Sequence, residues 1–332
     1  MKRILVTGAC GSIGKALVVK LLNDGNKVCA FDNNEDGLFH LSKQINLNDD
    51  ISKLKVFVGD IRDLNRLEQA MEGVEEVYHC AALKHVELSE YNPFEALKTN
   101  VIGTNNIIDA AIKSNVNKVL VTSSDKAVNP SSTMGTTKLL AEKLTISANN
   151  YTGSNDVRFG CVRFGNVWNT NGSVGPIFKN QVLNDNDITL TDKSMTRFFV
   201  SKNDAVDLCI KSCNALIGGE IFISDMGATS IGLIAKEFKN YNSKINIIET
   251  GSKAGEKLYE ELFTDVESTR TFKYEDMYVV LPDSLDKNSQ KYINLQKFYN
   301  NESPIGVALR SDSDIAENID VNYLVRTLMN ES

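Results

Sequence analysis

Lys2-Arg3-Ile4-Leu5-Val6-Thr7-Gly8-Ala9-Cys10-Gly11-Ser12-Ile13-Gly14 opens the chain. Lys2–Thr7 is an apolar, β-rich run of the kind found in fully buried strands, and Ile13–Asn23 behind it has helical spacing that ends near Gly25. A strand that turns into a helix through Gly8, Gly11 and Gly14 opens a βαβ unit. The glycines permit the tight turn and let the backbone approach a pyrophosphate, while the helix start at Ser12 and Ile13 offers free N–H groups and a positive dipole end. The next strand, Lys27–Phe31, leads to Asp32, eighteen residues after Gly14. An acidic side chain there can accept hydrogen bonds from both hydroxyls of an adenosine ribose and repels a 2′-phosphate. Asn33 and Asn34 supply no cation, so NAD is expected in preference to NADP.

Outward from this unit, short β-rich runs alternate with helical ones. Lys55–Val58, Glu76–Cys80, Lys118–Ser123 and Val157–Arg163 read as strands, and Leu64–Met71, Pro93–Ser114 and Thr136–Asn149 as helices. The alternation predicts an α/β chain: a Rossmann-type, doubly wound parallel sheet with a smaller C-terminal substrate-binding domain. Asp60 and Ile61, after the third strand, are placed to flank an adenine ring, although Asp60 or Asp63 serves equally well as a helix cap. After Gly165 the composition shifts towards Gly, Asn and Asp through Asp192, then a helix (Lys202–Ala215) and a strand (Glu220–Ser224) follow. The expected division is a cofactor domain over residues 1–168, with a returning segment near 199–218, and a UDP-sugar domain over 169–332.

The bulk numbers narrow the classes. At 332 residues with a net charge of −7, the chain lacks the basic surface that nucleic acid requires. No apolar run reaches the roughly eighteen residues that span a bilayer, so no membrane partner is expected. The N-terminus enters a strand directly, and a cytoplasmic location without a signal peptide is the expectation. The six cysteines include no CxxC pair, and three histidines are too few to complete a metal site around Cys209 and Cys213, so reduced thiols and no metal are expected.

Several blocks carry a narrower resemblance. The loop at Gly8–Gly14, the segment His79-Cys80-Ala81-Ala82 and Lys138 resemble the extended short-chain dehydrogenase/reductases. Leu83-Lys84-His85-Val86, Glu90-Tyr91-Asn92-Pro93, Ser124-Asp125-Lys126-Ala127-Val128-Asn129-Pro130 and Met134-Gly135-Thr136-Thr137-Lys138 look like the UDP-N-acetylglucosamine 4,6-dehydratases of bacterial surface-glycan biosynthesis. So do Arg163-Phe164-Gly165-Asn166-Val167, Met195-Thr196-Arg197-Phe198-Phe199 and Gly255-Glu256-Lys257-Leu258-Tyr259-Glu260-Glu261-Leu262, in the same order along about residues 3 to 265. The resemblance implies a tightly held dinucleotide, oxidation of the sugar at C4, loss of the C5 proton and the C6 hydroxyl as water, and return of hydride to C6. It implies that Asp125 protonates the departing oxygen, Lys126 is the C5 base, Lys138 lies against the nicotinamide ribose, Ala81 sits at the cofactor, and Ser124 bonds near the C4 oxygen. Lys84, Asn166 and Arg197 match contacts to the sugar or diphosphate, and Glu256 a ribose contact. A homo-oligomer is also implied.

Two positions depart from the pattern. Met134 stands where most short-chain dehydrogenases carry a tyrosine, and a thioether cannot relay a proton at C4. Some dehydratases of this family carry methionine there, and retention of configuration at C5 is the expectation for that subgroup. Lys253-Ala254 replaces the usual Arg-Pro, which keeps charge and loses the bidentate fork. Independently of the resemblance, elimination needs a base and an acid on adjacent atoms, and Asp125-Lys126 ends a parallel strand where ligands bind in open α/β sheets. Those roles require a protonated Asp125 and a neutral Lys126; burial moves both that way, and mutual pairing moves both back. A 4-epimerase on the same fold and a non-catalytic dinucleotide-binding regulator are the alternatives.

Overall fold

The computed structural model describes residues 1–46, 51–153, 155–170, 172–251, 255–283, 289–299, 303–313, 316 and 319–330. Its first six strands are β1 (Arg3–Thr7), β2 (Lys27–Asp32), β3 (Leu54–Val58), β4 (Glu76–His79), β5 (Lys118–Ser124) and β6 (Arg158–Phe164). They pair in parallel in the order β3-β2-β1-β4-β5-β6, so strand order reverses beside β1. The crossover helices follow from the apolar spacing. In α1 (Ser12–Asn23) the residues Gly14, Leu17, Val18, Leu21 and Leu22 are buried, one stripe at i, i+3, i+4, i+7 and i+8. Each of the four leucine and valine side chains contributes about 1.5–3 kcal/mol by leaving water. The helix ends where Gly25 takes φ +84° and the Gly25 and Asn26 amides return to the carbonyls of Leu22 and Leu21.

The remaining helices of this half are α2 (Glu35–Asn46), α3 (Leu64–Met71), α4 (Val86–Tyr91), α5 (Pro93–Leu97), α6 (Gly103–Lys113) and α7 (Thr133–Ala148). The single helix expected over Pro93–Ser114 is interrupted by a π turn at Lys98–Ile102 between α5 and α6. Asp63, not Asp60, caps α3 by accepting from the Arg66 amide.

Beyond residue 168 the chain returns to the sheet more extensively than a segment near 199–218. After β7 (Asn166–Val167), α8 (Val174–Leu183), β8 (Ile188–Leu190) and β9 (Thr196–Val200), helix α9 (Lys202–Ala215) contacts β5 and β6, and β10 (Ile221–Ser224) adds a seventh parallel strand beside β6. The chain continues through β11 (Ala228–Ser230), α10 (Ile231–Lys239), β12 (Ile247–Glu249), β13 (Glu261–Phe263) and α11 (Asp265–Ser268). The hairpin β14 (Thr271–Tyr274) and β15 (Met277–Val280) then closes the sheet antiparallel, and α12 (Gln290–Phe298), β16 (Leu309–Arg310) and α13 (Val321–Asn330) follow. A second apolar cluster, separate from the sheet's own core, gathers Trp168, Phe178, Phe199, Ile234, Phe238 and Val325. No described helix is long and apolar enough to cross a membrane.

Candidate active site

A cavity of about 760 Å³ opens over the carboxyl ends of the strands, on the side predicted for ligands in this topology. Gly8, Gly11, Ser12, Ile13, Gly14, Asp32, Asp60, Ile61, Ala81, Lys84, Ser124, Met134 and Lys138 all line it. The glycine loop is built for close backbone approach. Gly8 adopts φ +66°, and a Cβ on Gly14 would sit 2.1 Å from the Gly8 carbonyl oxygen. Helix α1 begins at the N-cap Gly11 without a side-chain cap, leaving its dipole end to the cavity. Asp32 is 9% exposed; one carboxylate oxygen accepts from the Cys10 amide and the other from the Asn34 amide, both at 2.9 Å. The two backbone donors fix the carboxylate and leave lone pairs facing the cavity. These residues fit a dinucleotide.

Asp60 stands in the cavity wall beside Ile61. Its carboxylate is held by Arg62, whose Nε donates to both oxygens, and this pairing lowers the Asp60 pKa. Arg62 also reaches Glu95 at 2.9 Å, so the cavity's outer edge is a salt-bridged rim, with Arg62 a member that the sequence did not single out.

At the inner end, Lys138 donates to the Thr122 carbonyl oxygen at 2.9 Å, and burial lowers its pKa against the pull of Cys80 and Cys161. Met134 is one turn away on the same face of α7 and is 3% exposed. Helix α7 approaches the strand end closely because Gly135 lacks a side chain: a Cβ there would lie 2.2 Å from the Lys126 carbonyl oxygen. Two buried polar residues brace this end, Asn100 outside the sequence motifs and His79 within one. Asn100, on the π turn, accepts from the Leu83 amide and donates to the Leu83 carbonyl and to Thr137. His79 lies between Thr7 and Thr104, and burial together with Lys138 drives its pKa down to about 3. A mid-helix π turn is the local signal that marks such a site, but it is a backbone feature without a residue signature.

Ser124 ends β5 and caps the 3₁₀ turn Asp125–Ala127. Its hydroxyl donates to Asp125 Oδ1 at 2.7 Å, so only its oxygen lone pairs remain for a ligand. Asp125 is fully buried, and its Oδ2 has no hydrogen-bond partner. Lys126 Nζ lies 3.0 Å from Asp125 Oδ1, 3.4 Å from Asn166 Oδ1 and 3.7 Å from Glu260 Oε1. Burial works against its ammonium, but Asp125 and Glu260 outweigh it and raise the pKa. Pairing therefore prevails over desolvation at Lys126, the opposite of what a base requires.

The expected substrate contacts are distributed unevenly. Asn166 joins the Lys126 group. Arg197 is turned towards the backbone, donating to the Thr196 and Lys257 carbonyl oxygens at 2.7 and 2.9 Å, with Nε 3.9 Å from Glu260. It braces β9 against residues 257–260. Glu256 is exposed, and Lys253 lies outside the described residues. Glu260, not assigned a role from sequence, is 3% exposed with an unpartnered Oε2. The second half is joined to the strand end by Ser131 Oγ donating to the Gly255 carbonyl and Lys257 Nζ to the Val128 carbonyl, both at 2.9 Å.

A glycine loop, an anchored acidic residue after β2 and a lysine on α7 define an extended short-chain dehydrogenase/reductase fold. Residues 4–282 match the family described as polysaccharide biosynthesis protein, and the chain belongs to it. A Methanocaldococcus jannaschii relative named as an uncharacterized membrane protein is 48% identical, covering 88% of this chain and 89% of its own. The UDP-N-acetylglucosamine 4,6-dehydratase (inverting) of Campylobacter jejuni is 38% identical, with 88% and 87% covered. A UDP-glucose 4-epimerase of Rickettsia rickettsii is also 38% identical, with 88% and 86% covered. Among solved structures, Pen from Bacillus thuringiensis superposes with a TM-score of 0.88 at 37% identity, over 100% of this chain and 98% of that one. DesIV, a dTDP-glucose 4,6-dehydratase from Streptomyces venezuelae solved with NAD, shares the fold, with a TM-score of 0.69 at 21% identity over 77% and 86%.

Proposed function

We propose that this chain is an NAD-dependent dehydratase that converts UDP-N-acetylglucosamine to a UDP-4-keto-6-deoxy-N-acetylhexosamine for surface-glycan assembly. One observation carries the reading: a buried acid and a lysine, Asp125 and Lys126, are adjacent at the end of β5, directly after Ser124, which lines the cavity together with Met134 and Lys138. The dinucleotide, held by the glycine loop and Asp32, would take hydride from C4 and give it back at C6. Lys138 holds the nicotinamide end. Lys126 removes the C5 proton, Asp125 in its acid form protonates the departing C6 oxygen through the unpartnered Oδ2, and Lys126 returns a proton to C5. The C4 hydroxyl proton released to solvent is matched by the one Asp125 takes back from it. Asn166 steadies Lys126, and Lys84 serves the sugar or diphosphate.

The second reading is a 4-epimerase, favoured by the similarity to the Rickettsia proteins. Asp125 and Lys126 weigh against it, because an epimerase eliminates nothing and needs no acid and base at C6 and C5, whereas the C4 hydroxyl proton that Met134 cannot relay must leave in either reaction. Incubation with UDP-N-acetylglucosamine followed by mass spectrometry separates the two: loss of one water is expected, and an isomer of unchanged mass would overturn the proposal. Product NMR in deuterated water also reads the configuration at C5, expected to be retained, in contrast to the inverting Campylobacter relative. The reading places the enzyme in the cytoplasm as a homo-oligomer; sedimentation velocity on the purified chain tests the assembly.

A further inference from the structure

Lys126 must be neutral to act as a base, yet it carries two carboxylates as neighbours. Asp125, 3.0 Å away, can take one proton from Lys126 and so become the acid, but it gives that proton to the departing oxygen within the turnover and cannot keep it from Lys126. The other neighbour is Glu260, on the segment that crosses from the second half of the chain. Its Oε1 lies 3.7 Å from Lys126 Nζ and 3.9 Å from Arg197 Nε, beyond hydrogen-bond length in both cases, and its Oε2 is buried without a partner. The backbone around it is fixed, since the Glu260 amide donates to Ser311 Oγ at 2.9 Å. The charged groups that act on Glu260 are Lys126, Asp125, Arg197 and Lys257. A carboxylate kept for structure in such surroundings would have its lone pairs filled.

We propose that Glu260 is the proton partner of Lys126: it takes the ammonium proton and leaves Lys126 as the free amine that removes the C5 proton. This rests on the dehydratase reading of Lys126. In the step, the Nζ–H bond breaks and an Oε1–H bond forms, so an ammonium and a carboxylate become an amine and a carboxylic acid with no change in net charge. Closing the site over a substrate removes water and favours the neutral pair over the ion pair. The amine then takes the C5 proton, and returns it to C5 after C6 is reduced, while Glu260 keeps its own proton. Burial already biases Glu260 in this direction, raising its pKa despite Lys126 and Arg197. Glu260 does not touch the reacting atoms, so it is a positioning residue.

The test is the pH profile of kcat for water loss from UDP-N-acetylglucosamine in wild type, Glu260→Gln and Glu260→Asp, with melting temperature and bound NAD read on each. The wild type is expected to be flat around neutrality. In Glu260→Gln the proton must leave Lys126 to solvent, so the rate at pH 7 is expected to fall about 100-fold, within the range of a lost proton-transfer partner, and to recover about tenfold per pH unit above it. Glu260→Asp keeps a carboxyl one methylene further off and is expected to lie between. An acid limb at or below the wild-type position in either folded variant overturns the proposal, because removal of a mere counter-charge would lower the Lys126 pKa. Should the Gln variant fail to keep NAD, the Asp variant decides. Lys126→Ala is the control for the underlying reading: if it turns over like wild type, the dehydratase assignment of Lys126 fails irrespective of Glu260.

Discussion

Two charge clusters lie beside the strands that carry the site, and they are finished to different degrees. In the first, Arg163 on β6, 1% exposed, uses all five of its N–H groups. Nε and Nη2 donate to Glu142 at 2.8 and 2.7 Å, Nη1 and Nη2 to Glu267 at 3.0 and 2.9 Å, and Nη1 also to the Leu262 carbonyl at 3.2 Å. Burial works against ionisation of Glu267, but the Arg163 pairing prevails and lowers its pKa. In the second, Lys126 touches Asp125, Asn166 and Glu260 at lengths that grow from 3.0 to 3.7 Å, and both Asp125 Oδ2 and Glu260 Oε2 are orphaned. The two clusters therefore serve different ends. A cluster in which every carboxylate oxygen has a partner holds α7, β6 and α11 together, whereas a cluster with carboxylate oxygens left orphaned has protons left to move.

The sharpest way to break this contrast is to remove the cation from each. Lys126→Ala is expected to cut turnover by about 10³-fold or more while NAD stays bound, since proton transfer by one side chain is worth 10²–10⁴; rapid-quench assays and the absorbance of retained cofactor read both. Arg163→Met is expected to act on stability instead, by about 3–5 kcal/mol, because it strands two buried carboxylates; urea denaturation measures it. If Arg163→Met left stability untouched, the first cluster would not be the structural one. Outside both clusters, Asp32→Ala should weaken NAD by about tenfold or more through the lost charged hydrogen bonds and relax discrimination against NADP, as isothermal titration would record. Unchanged affinity for both would remove Asp32 from the site.

The smallest effect sharpens the comparison most. Glu267 has its pKa lowered, so its contribution is present above the ordinary glutamate range and is lost as pH falls through the folded value. Glu260 has its pKa raised, so the folded state resists its ionisation and stability declines as pH rises through the folded value. At pH 8, Glu267→Gln is expected to lower the melting temperature and Glu260→Gln to leave it equal or higher. Scanning calorimetry on the two variants checks the signs, and a shared sign would dissolve the distinction.

The cofactor side was legible because its parts are contiguous: a strand, three glycines and Asp32 act mainly through backbone, and backbone geometry follows from local sequence. The strand end at Ser124–Lys126 was legible through resemblance and through its place after an apolar run. The sugar side was less so, since Glu260, Arg197 and Lys126 come from segments more than sixty residues apart and meet only through the fold. Nothing in Glu260-Glu261 distinguishes the buried member from the outer one, which accepts from Asn129. The resemblance matches Arg197 to a sugar or diphosphate contact, and sequence could not show that two of its donors go to the Thr196 and Lys257 carbonyls. In the hairpin Thr271–Val280 only the first strand alternates polar and apolar residues, the second being apolar throughout, and four-residue strands are too short to announce that they close the main sheet.

The π turn at Lys98–Ile102 has a consequence for engineering. A widened turn accommodates one residue more than the α-helical path around it, so shortening residues 98–102 by one would restore an uninterrupted helix from Pro93 to Lys113. The rotation would swing Asn100 away from Leu83 and Thr137 and shift Thr99, which lines the cavity, so that the compartment they border would be reshaped. The width of that compartment is thus set by chain length, and a single-codon deletion is the tool that would retune it.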